Sequence, residues 1–235
     1  MQCPECGSEH IRKNGHRRGQ QNHLCVDCRR QFVANPQTEF GYSDEVRRQC
    51  LKLYTNGLGF RAIERVSGVH HTTVIHWVKQ SGELLPDAYD PEGVPEVVEL
   101  DELQTFVGAK KNKLWIWTVV DHFRPGILGW VVGDRSGQTF EPLWAMVRVW
   151  RCFFSVTDGW KVYPSYIPEG DQIVSKTYMT RVEGENTRLR HYLARLHRKT
   201  LCYSKSLEML KHSLRLVIHS LKFGDLPMPS RKSNR

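Results

Sequence analysis

The spacing of apolar residues divides the chain into a helical segment and a later segment of strands. Between residues 43 and 80, apolar side chains recur every three or four positions, which is typical of amphipathic helices. The pattern predicts one helix between Ser43 and Asn56-Gly57, a second over 60–66 and a third over 71–80. A glycine-containing turn joins the last two helices, so we predict a helix-turn-helix domain over 42–82.

From residue 97 onward, three runs of β-branched and aromatic residues predict an antiparallel meander. Further elements follow: a helix over 139–150, strands over 152–156 and 172–174, and helices over 181–198 and 205–223. This order is that of an RNase H-like domain, whose fourth strand returns parallel to the first. The predicted fold class is therefore α/β, with a mixed sheet over 97–224.

The remaining segments are short and polar. Three prolines and five acidic residues between 83 and 96 predict a solvated linker. Residues 225–235 read as a basic tail.

Four cysteines near the N-terminus indicate a metal site. They form two Cys-x-x-Cys pairs separated by 18 residues: Cys3, Cys6, Cys25 and Cys28. This spacing is typical of tetrahedral zinc, and residues 1–36 contain too few large apolar residues to fold without it. The alternative is two disulfides, which require an oxidising compartment. Because the first residues lack the features of a signal peptide, we expect a cytoplasmic protein and a zinc ribbon over 1–36.

Charge points to a polyanionic partner. The net charge is +9 and the isoelectric point is near 9.3. Acidic residues outnumber basic ones only in the middle, between 81 and 170. This distribution suits a protein that binds phosphates at both ends and cations in its centre. No stretch approaches the roughly 18 apolar residues of a membrane span, so we expect no membrane partner.

Two groups of residues are candidates for DNA binding. On the third predicted helix, the polar face carries Thr72, Thr73, His76 and Lys79. On the helix predicted over 181–198, helical spacing aligns Arg181, Arg188, Arg195 and Lys199 in a basic ridge. The alternatives are a plain three-helix bundle for the first group and a solvated charged face for the second.

Three carboxylates are candidates for a catalytic metal site. Asp101 lies in the first strand of the meander, Asp158 follows the fourth strand, and Glu183 lies in the first turn of a helix. An RNase H-like sheet would bring them together, and divalent cations would neutralise their repulsion. Oxygen ligands favour Mg²⁺ or Mn²⁺. Glu102 or Asp121 would replace Asp101 if the strand register differed.

Several motifs carry a family resemblance. They are Glu99-Leu100-Asp101-Glu102, Val107-Gly108-Ala109-Lys110, Thr157-Asp158-Gly159-Trp160, Arg181-Val182-Glu183, the segment 191–196, the segment 198–201, and Ser204-Lys205-Ser206. Twenty-four residues separate Asp158 from Glu183. In these features the chain resembles transposases of the insertion-sequence-one family, within the DDE superfamily.

The resemblance implies an Mg²⁺-dependent transposase with Asp101, Asp158 and Glu183 as its metal-binding triad. It implies that the N-terminal region binds terminal inverted repeats, and that the enzyme cleaves DNA and transfers strands to target DNA in a prokaryotic nucleoid. Because two DNA ends are handled together, we expect a homodimer or larger assembly. Glu185 differs from the residue expected beside Asn186 and is a second candidate ligand. The alternatives are a repressor of transposition with an inactive catalytic domain and a nuclease that only hydrolyses.

Overall fold

The computed structural model describes residues 1–17, 19–33 and 41–228. Contacts between residues divide the chain into two compact units, Met1–Ser43 and Asp44–Arg235. Of the predicted basic tail, residues 229–235 lie outside the described residues. Across the described part of the chain, no helix combines the length and apolar character needed to cross a membrane.

The first unit is a small antiparallel sheet. Its strands, in spatial order, are β1 (Ile11–Arg17), β2 (Gln20–Cys25) and β3 (Gln31–Val33). Among the described residues of this unit, the buried apolar side chains are Cys3 and Cys25. As the sequence predicts, this unit has almost no hydrophobic core, so its folding free energy must come from another source.

Three helices open the second unit, as the spacing of apolar residues predicts. They are α1 (Asp44–Thr55), α2 (Phe60–Ser67) and α3 (His71–Glu83). Gly68 ends α2 in the left-handed region, at φ 72°, and its N–H donates to the Glu64 carbonyl. The buried apolar residues of α3 are Val74, Trp77 and Val78, and Ile75 is half-buried.

A five-stranded mixed sheet follows, in the spatial order β6-β5-β4-β7-β8. The strands are β4 (Val97–Phe106), β5 (Lys113–Asp121), β6 (Ile127–Gly133), β7 (Phe154–Thr157) and β8 (Gln172–Val174). The first three form an antiparallel meander, and β7 returns parallel to β4 after helix α4 (Gly137–Trp150). The predicted α/β fold class with a mixed sheet is confirmed.

Helices cover both faces of the sheet. Helix α4 packs on one face, and α5 (Thr180–Tyr192) and α6 (Leu207–Phe223) pack on the other. Helices α1, α2 and α3 share the hydrophobic core of α5 and α6. Since side chains alternate along a strand, odd-numbered residues of β4 face α5 and even-numbered residues face α4. Glu99 and Asp101 therefore lie on the α5 side, and Glu102 lies on the other.

Helix α5 is shorter than predicted, and this corrects one prediction about charge. It ends at Tyr192, because Leu193 is extended at φ −116° and ψ 103°, and a 3-10 turn, Ala194–Leu196, follows. Arg195 therefore lies in the turn and Lys199 in the loop beyond. The prediction that four basic residues form a ridge along one helix was therefore wrong.

Contacts with the N-terminal helices explain why α5 ends early. Arg195 Nε donates to Tyr54 Oη at 2.8 Å, and its guanidinium lies 4.8 Å from the ring centroid of Phe60. The imidazole of His197 contacts the carbonyl of His191 at 2.9 Å, which satisfies an acceptor at the end of the helix. Tertiary contacts thus override the helical periodicity of the sequence.

Part of the segment 83–96, predicted to be a solvated linker, is paired with the sheet. Tyr89 N–H donates to the Leu128 carbonyl at 2.7 Å, and Trp130 N–H donates to the Asp87 carbonyl at 3.3 Å. Arg215 of α6 donates to both carboxylate oxygens of Asp87. Because β6 is an edge strand, its free hydrogen-bonding groups are available to this segment. The domain boundaries within 42–224 stay predictions.

A chain of hydrogen bonds joins the N-terminal helices to α6 and generates a testable prediction. Arg195 donates to Tyr54 Oη, which lies 2.6 Å from Ser213 Oγ. Tyr54 is 1% exposed. The substitution Tyr54→Phe is therefore expected to lower the free energy of unfolding by about 1–2 kcal/mol, because two polar groups lose a partner.

Urea unfolding measures this change. The matched control is Tyr178→Phe, at a tyrosine that is 59% exposed. Equal unfolding free energies for the two variants would show that the Tyr54 hydroxyl contributes nothing.

Candidate functional site

The two Cys-x-x-Cys segments adopt the same backbone turn. Gly7 N–H donates to the Cys3 carbonyl at 2.9 Å, and Arg29 N–H donates to the Cys25 carbonyl at 3.1 Å. Gly7 and Arg29 both have positive φ, at 72° and 63°. Each turn therefore directs two sulfurs toward a common point.

The four sulfurs, from Cys3, Cys6, Cys25 and Cys28, lie within 4.8 Å of one another. Tetrahedral Zn–S bonds of about 2.3 Å separate sulfurs by about 3.8 Å, so the set fits such an ion. The pKa of Cys25 is lowered to about 6, chiefly by the backbone N–H of Cys28. For Cys28, the N–H of Arg30 lowers the pKa, but desolvation and the neighbouring sulfurs raise it to about 12. Without a metal, the four thiols therefore resist simultaneous ionisation. A bound cation would remove this resistance because it stabilises the thiolates.

The sheet register brings Asp101 and Asp158 side by side. Strand β7 pairs in parallel with β4, and Glu99 lies opposite Val156. Asp101 lies two residues beyond Glu99, and Asp158 lies two residues beyond Val156, directly after β7, so a continuation of this register brings the two residues side by side. Paired residues of neighbouring strands point to the same face of a sheet. Asp101 lies at the α5 side, and the charge of Asp158 acts both on Asp101 there and on Glu102 at the α4 side.

Two hydrogen bonds attach α5 to strand β4. The N–H of Val182, in the first turn of α5, donates to Glu99 Oε2 at 2.7 Å, so this carboxylate caps the helix. One turn later, Asn186 Nδ2 donates to Asp101 Oδ2 at 2.8 Å. Glu183 follows Val182 directly, so the same attachment determines where Glu183 lies.

The charges of Asp158 and Glu183 both act on Asp101. The pKa of Asp101 is raised, first by burial and then by the charges of Asp158 and Glu183, although Asn186 partly offsets this. The oxygens of the three carboxylates do not all lie within 4.8 Å of one another. In the described part of the chain, the clusters whose ligand atoms all lie within 4.8 Å are the four cysteines and the group Glu64, His70 and His71. The site is thus open, with like charges that a cation would draw together.

The alternative carboxylates named by the sequence have other partners. Glu102 faces α4, where it accepts hydrogen bonds from Arg135 Nε at 2.8 Å and from Tyr163 Oη at 2.7 Å. Asp121 ends β5, where it accepts from the N–H of Phe123 at 2.8 Å. The observed strand register therefore gives neither Glu102 nor Asp121 the position that Asp101 occupies.

Glu185 is also engaged elsewhere. Its carboxylate is buried and accepts from Gly126 N–H at 3.0 Å, in the turn between β5 and β6. Arg188 Nη1 donates to the same carboxylate at 2.9 Å. Glu185 thus holds a turn in place, and Glu183 remains as the glutamate beside Asp101.

Sequence reasoning missed the positioning roles of Glu99 and Asn186. Glu99 is fully buried among the apolar residues that begin β4. A charged residue in such a run is rare unless it has a specific partner, and this was the available signal. Asn186 lies on the buried face of α5 and also accepts from Thr118 Oγ1 at 3.2 Å.

The four α3 residues predicted to contact DNA lie in different surroundings. Thr72 and His76 are exposed, whereas Thr73 is half-buried. Lys79 Nζ donates to Glu208 Oε1 of α6 at 3.2 Å. Thr72 and His76 are therefore the members most accessible to a duplex.

Of the four residues in the predicted basic ridge, Arg181 and Arg188 lie on α5. Arg188 pairs with Glu185, and Arg195 contacts Tyr54. Lys199 is exposed beyond the turn, with φ 56°. Arg181, in the first turn beside Glu183, is the ridge residue nearest in sequence to the carboxylates.

Comparisons with known proteins agree on one family. A family model described as IS1 transposase matches residues 96–223. The insertion element IS1 protein InsB of Shigella flexneri is 37% identical over 111 residues, which are 47% of this chain and 85% of that protein. The InsB protein of the element IS1 9 from Escherichia coli strain K12 is 36% identical over 111 residues, 66% of its length. The region matched by the family model contains all three candidate carboxylates.

The cysteine site predicts that metal removal unfolds the first unit. The substitution Cys28→Ser is expected to release the ribbon's ion and abolish amide protection over residues 1–33, because the unit lacks a hydrophobic core. Hydrogen exchange read by mass spectrometry measures this protection. The control is Cys202→Ser, at an exposed cysteine. Unchanged protection in Cys28→Ser would show that the unit folds without metal.

The hydrogen bonds that attach α5 to β4 lead to a prediction for a substitution of Asn186. The substitution Asn186→Ala is expected to lower the free energy of unfolding by about 1–3 kcal/mol, because Asp101 and the buried Thr118 each lose a hydrogen bond. Denaturant unfolding provides the measurement, and Thr187→Ala, at an exposed position of the same helix, is the control. If the two variants unfold alike, Asn186 does not hold the helix to β4.

Proposed function

The chain belongs to the family of IS1 transposases, and we propose that it is the DNA transposase of an insertion sequence. In this proposal it binds the terminal inverted repeats of its element, cleaves DNA strands there and joins them to target DNA. The observation that supports the proposal most directly is that the charges of Asp158 and Glu183 both act on Asp101 of the central strand β4.

We propose that these three carboxylates hold Mg²⁺ or Mn²⁺. Their oxygens are the hard donors that such ions prefer, and their mutual repulsion favours a bound cation. When bound, a pair of divalent ions stabilises the attacking and leaving oxygens of an in-line phosphoryl displacement.

The protein orients two of the three carboxylates through hydrogen bonds to one oxygen of each. Asp101 Oδ2 accepts from Asn186, and Asp158 Oδ1 accepts from the N–H of Trp160 at 2.8 Å. The second oxygen of each group is then the ligand available to an ion. Glu99 performs a related task, because it fixes the helix that carries Glu183.

Recognition of the element's ends is assigned to the N-terminal region. The exposed residues Thr72 and His76 of α3 suit contacts with base edges, and Lys79 and Thr73 suit contacts with phosphates. The Cys3, Cys6, Cys25 and Cys28 site would hold a structural Zn²⁺ ion. Near the catalytic site, Arg181, Arg188, Arg195 and Lys199 remain candidates for phosphate contacts, although two of them have partners within the chain. A homodimer or larger assembly would hold two DNA ends.

A strand-transfer assay with purified protein, pre-cleaved end DNA and Mg²⁺ tests the proposal. Asp158→Asn and Glu183→Gln are each expected to reduce joined products by about 10²-fold or more, because each removes an ionised metal ligand. Binding of end DNA, followed by gel shift, is expected to be unchanged. The matched control is Glu141→Gln, an exposed residue of α4, which is expected to retain activity.

The products separate the competing functions. Joined products from Asp158→Asn at the wild-type rate would contradict the assignment of the triad. Nicked DNA without joined products would indicate a nuclease. Wild-type protein that binds the ends but yields neither joined nor nicked products would indicate a repressor with an inactive catalytic domain.

A further inference from the structure

A second group of metal-ligating side chains lies at the turn between α2 and α3. Glu64 is on α2, His70 precedes α3, and His71 is the first residue of α3. One ligand atom from each residue lies within 4.8 Å of the others. These residues lie on α2, in the turn and on α3, whereas the three carboxylates lie on β4, after β7 and on α5, so the group is separate from the catalytic candidate.

The two oxygens of Glu64 each face one histidine. Oε2 lies 2.8 Å from His71 Nδ1, and Oε1 lies 3.8 Å from His70 Nε2. Ligands at tetrahedral bonds of about 2.0–2.1 Å are about 3.4 Å apart. The observed separations bracket this value, so small side-chain rotations suffice to surround one ion.

The backbone that carries these ligands is fixed. Gly68 N–H donates to the Glu64 carbonyl at 2.9 Å, and Ser67 Oγ donates to the Ile63 carbonyl at 2.8 Å. Val69, in the middle of the turn, is fully buried. A site on such a turn needs little reorganisation to bind an ion.

Thr72 adjoins the second ring nitrogen of His70. His70 Nδ1 lies 2.7 Å from Thr72 Oγ1 and accepts from the N–H of Thr72 at 3.4 Å, so without an ion Nδ1 caps α3 and the proton resides on Nε2. Binding of an ion through Nε2 would move the proton to Nδ1, from which the Thr72 hydroxyl can accept it in a hydrogen bond.

In the chain without an ion, Glu64 Oε2 accepts a hydrogen bond from His71 Nδ1 at 2.8 Å. A cation bound to the same two atoms would replace the proton of that hydrogen bond, so its binding is expected to release a proton.

We propose that Glu64, His70 and His71 bind a transition-metal ion of the zinc type, with water at the fourth position. Imidazole nitrogen with a single carboxylate suits Zn²⁺, Co²⁺ or Ni²⁺ better than Mg²⁺. The ion joins α2 to α3 across the turn and adds positive charge at the N-terminus of α3. Any effect on DNA rests on the proposed function, whereas the binding of the ion does not.

The test counts ions bound to the full chain. Protein whose ribbon is loaded with zinc, in excess Mg²⁺ to fill the carboxylates at 101, 158 and 183, is dialysed against increasing Zn²⁺ and analysed for metal. Wild type is expected to bind one ion more per chain than Glu64→Gln, whose affinity for that ion falls at least about tenfold. Glu45→Gln, at an exposed glutamate of α1, is the matched control and is expected to bind as wild type does.

A second measurement identifies the ligands. Co²⁺ at this site is expected to show the visible bands of nitrogen and oxygen ligation without the sulfur charge-transfer band of a cysteine site. These bands are expected to be absent from His71→Gln. The proposal is overturned if wild type binds no additional ion, or if Glu64→Gln and wild type bind equally. Neither outcome depends on transposition, so failure here is distinct from failure of the proposed function.

Discussion

The attachment of helix α5 to strand β4 is the constraint on which the candidate site depends. Glu99 and Asp101 are two residues apart on one face of a strand, and Val182 and Asn186 are about one turn apart on a helix. Their hydrogen bonds, at 2.7 and 2.8 Å, fix both the position and the rotation of the helix. This attachment also positions Glu183, whose charge acts on Asp101.

The clustering of charges that would favour a bound cation at Asp101 also lowers the stability of the folded chain without one. Burial and neighbouring charges raise the pKa of Asp101, so its ionised form is unfavourable in the folded chain without a counter-ion. Neutral partners such as Asn186 offset part of this repulsion and leave the negative charge in place. A site of this kind retains affinity for cations because the protein does not neutralise its own carboxylates.

The second unit also links its N-terminal helices to α5. Helices α1 to α3 share a core with α5 and α6, and Arg195 reaches from the end of α5 to Tyr54 of α1. The helices assigned to DNA recognition and the helix that carries Glu183 are therefore packed within one compact unit. A change in the packing of α1 would reach α5 through this contact.

Much of the fold follows from local patterns, whereas the exceptions arise from tertiary contacts. The runs of β-branched and aromatic residues from Val97 onward predict the meander, and the order of the elements predicts that β7 returns beside β4. The end of α5 was not predictable, since Leu193 and Leu196 continue the helical spacing and only contacts with Tyr54 and Phe60 show why the chain turns. The pairing of Asp87 and Tyr89 with β6 and the role of Glu99 likewise depend on partners distant in sequence.

The most direct measurement of the central claim is a crystal structure of the chain with end DNA and Mn²⁺, recorded at the manganese absorption edge. The account predicts anomalous peaks between Asp101, Asp158 and Glu183, within coordination distance of the carboxylate oxygens. Ordered DNA with those three side chains directed apart and no manganese between them would contradict it.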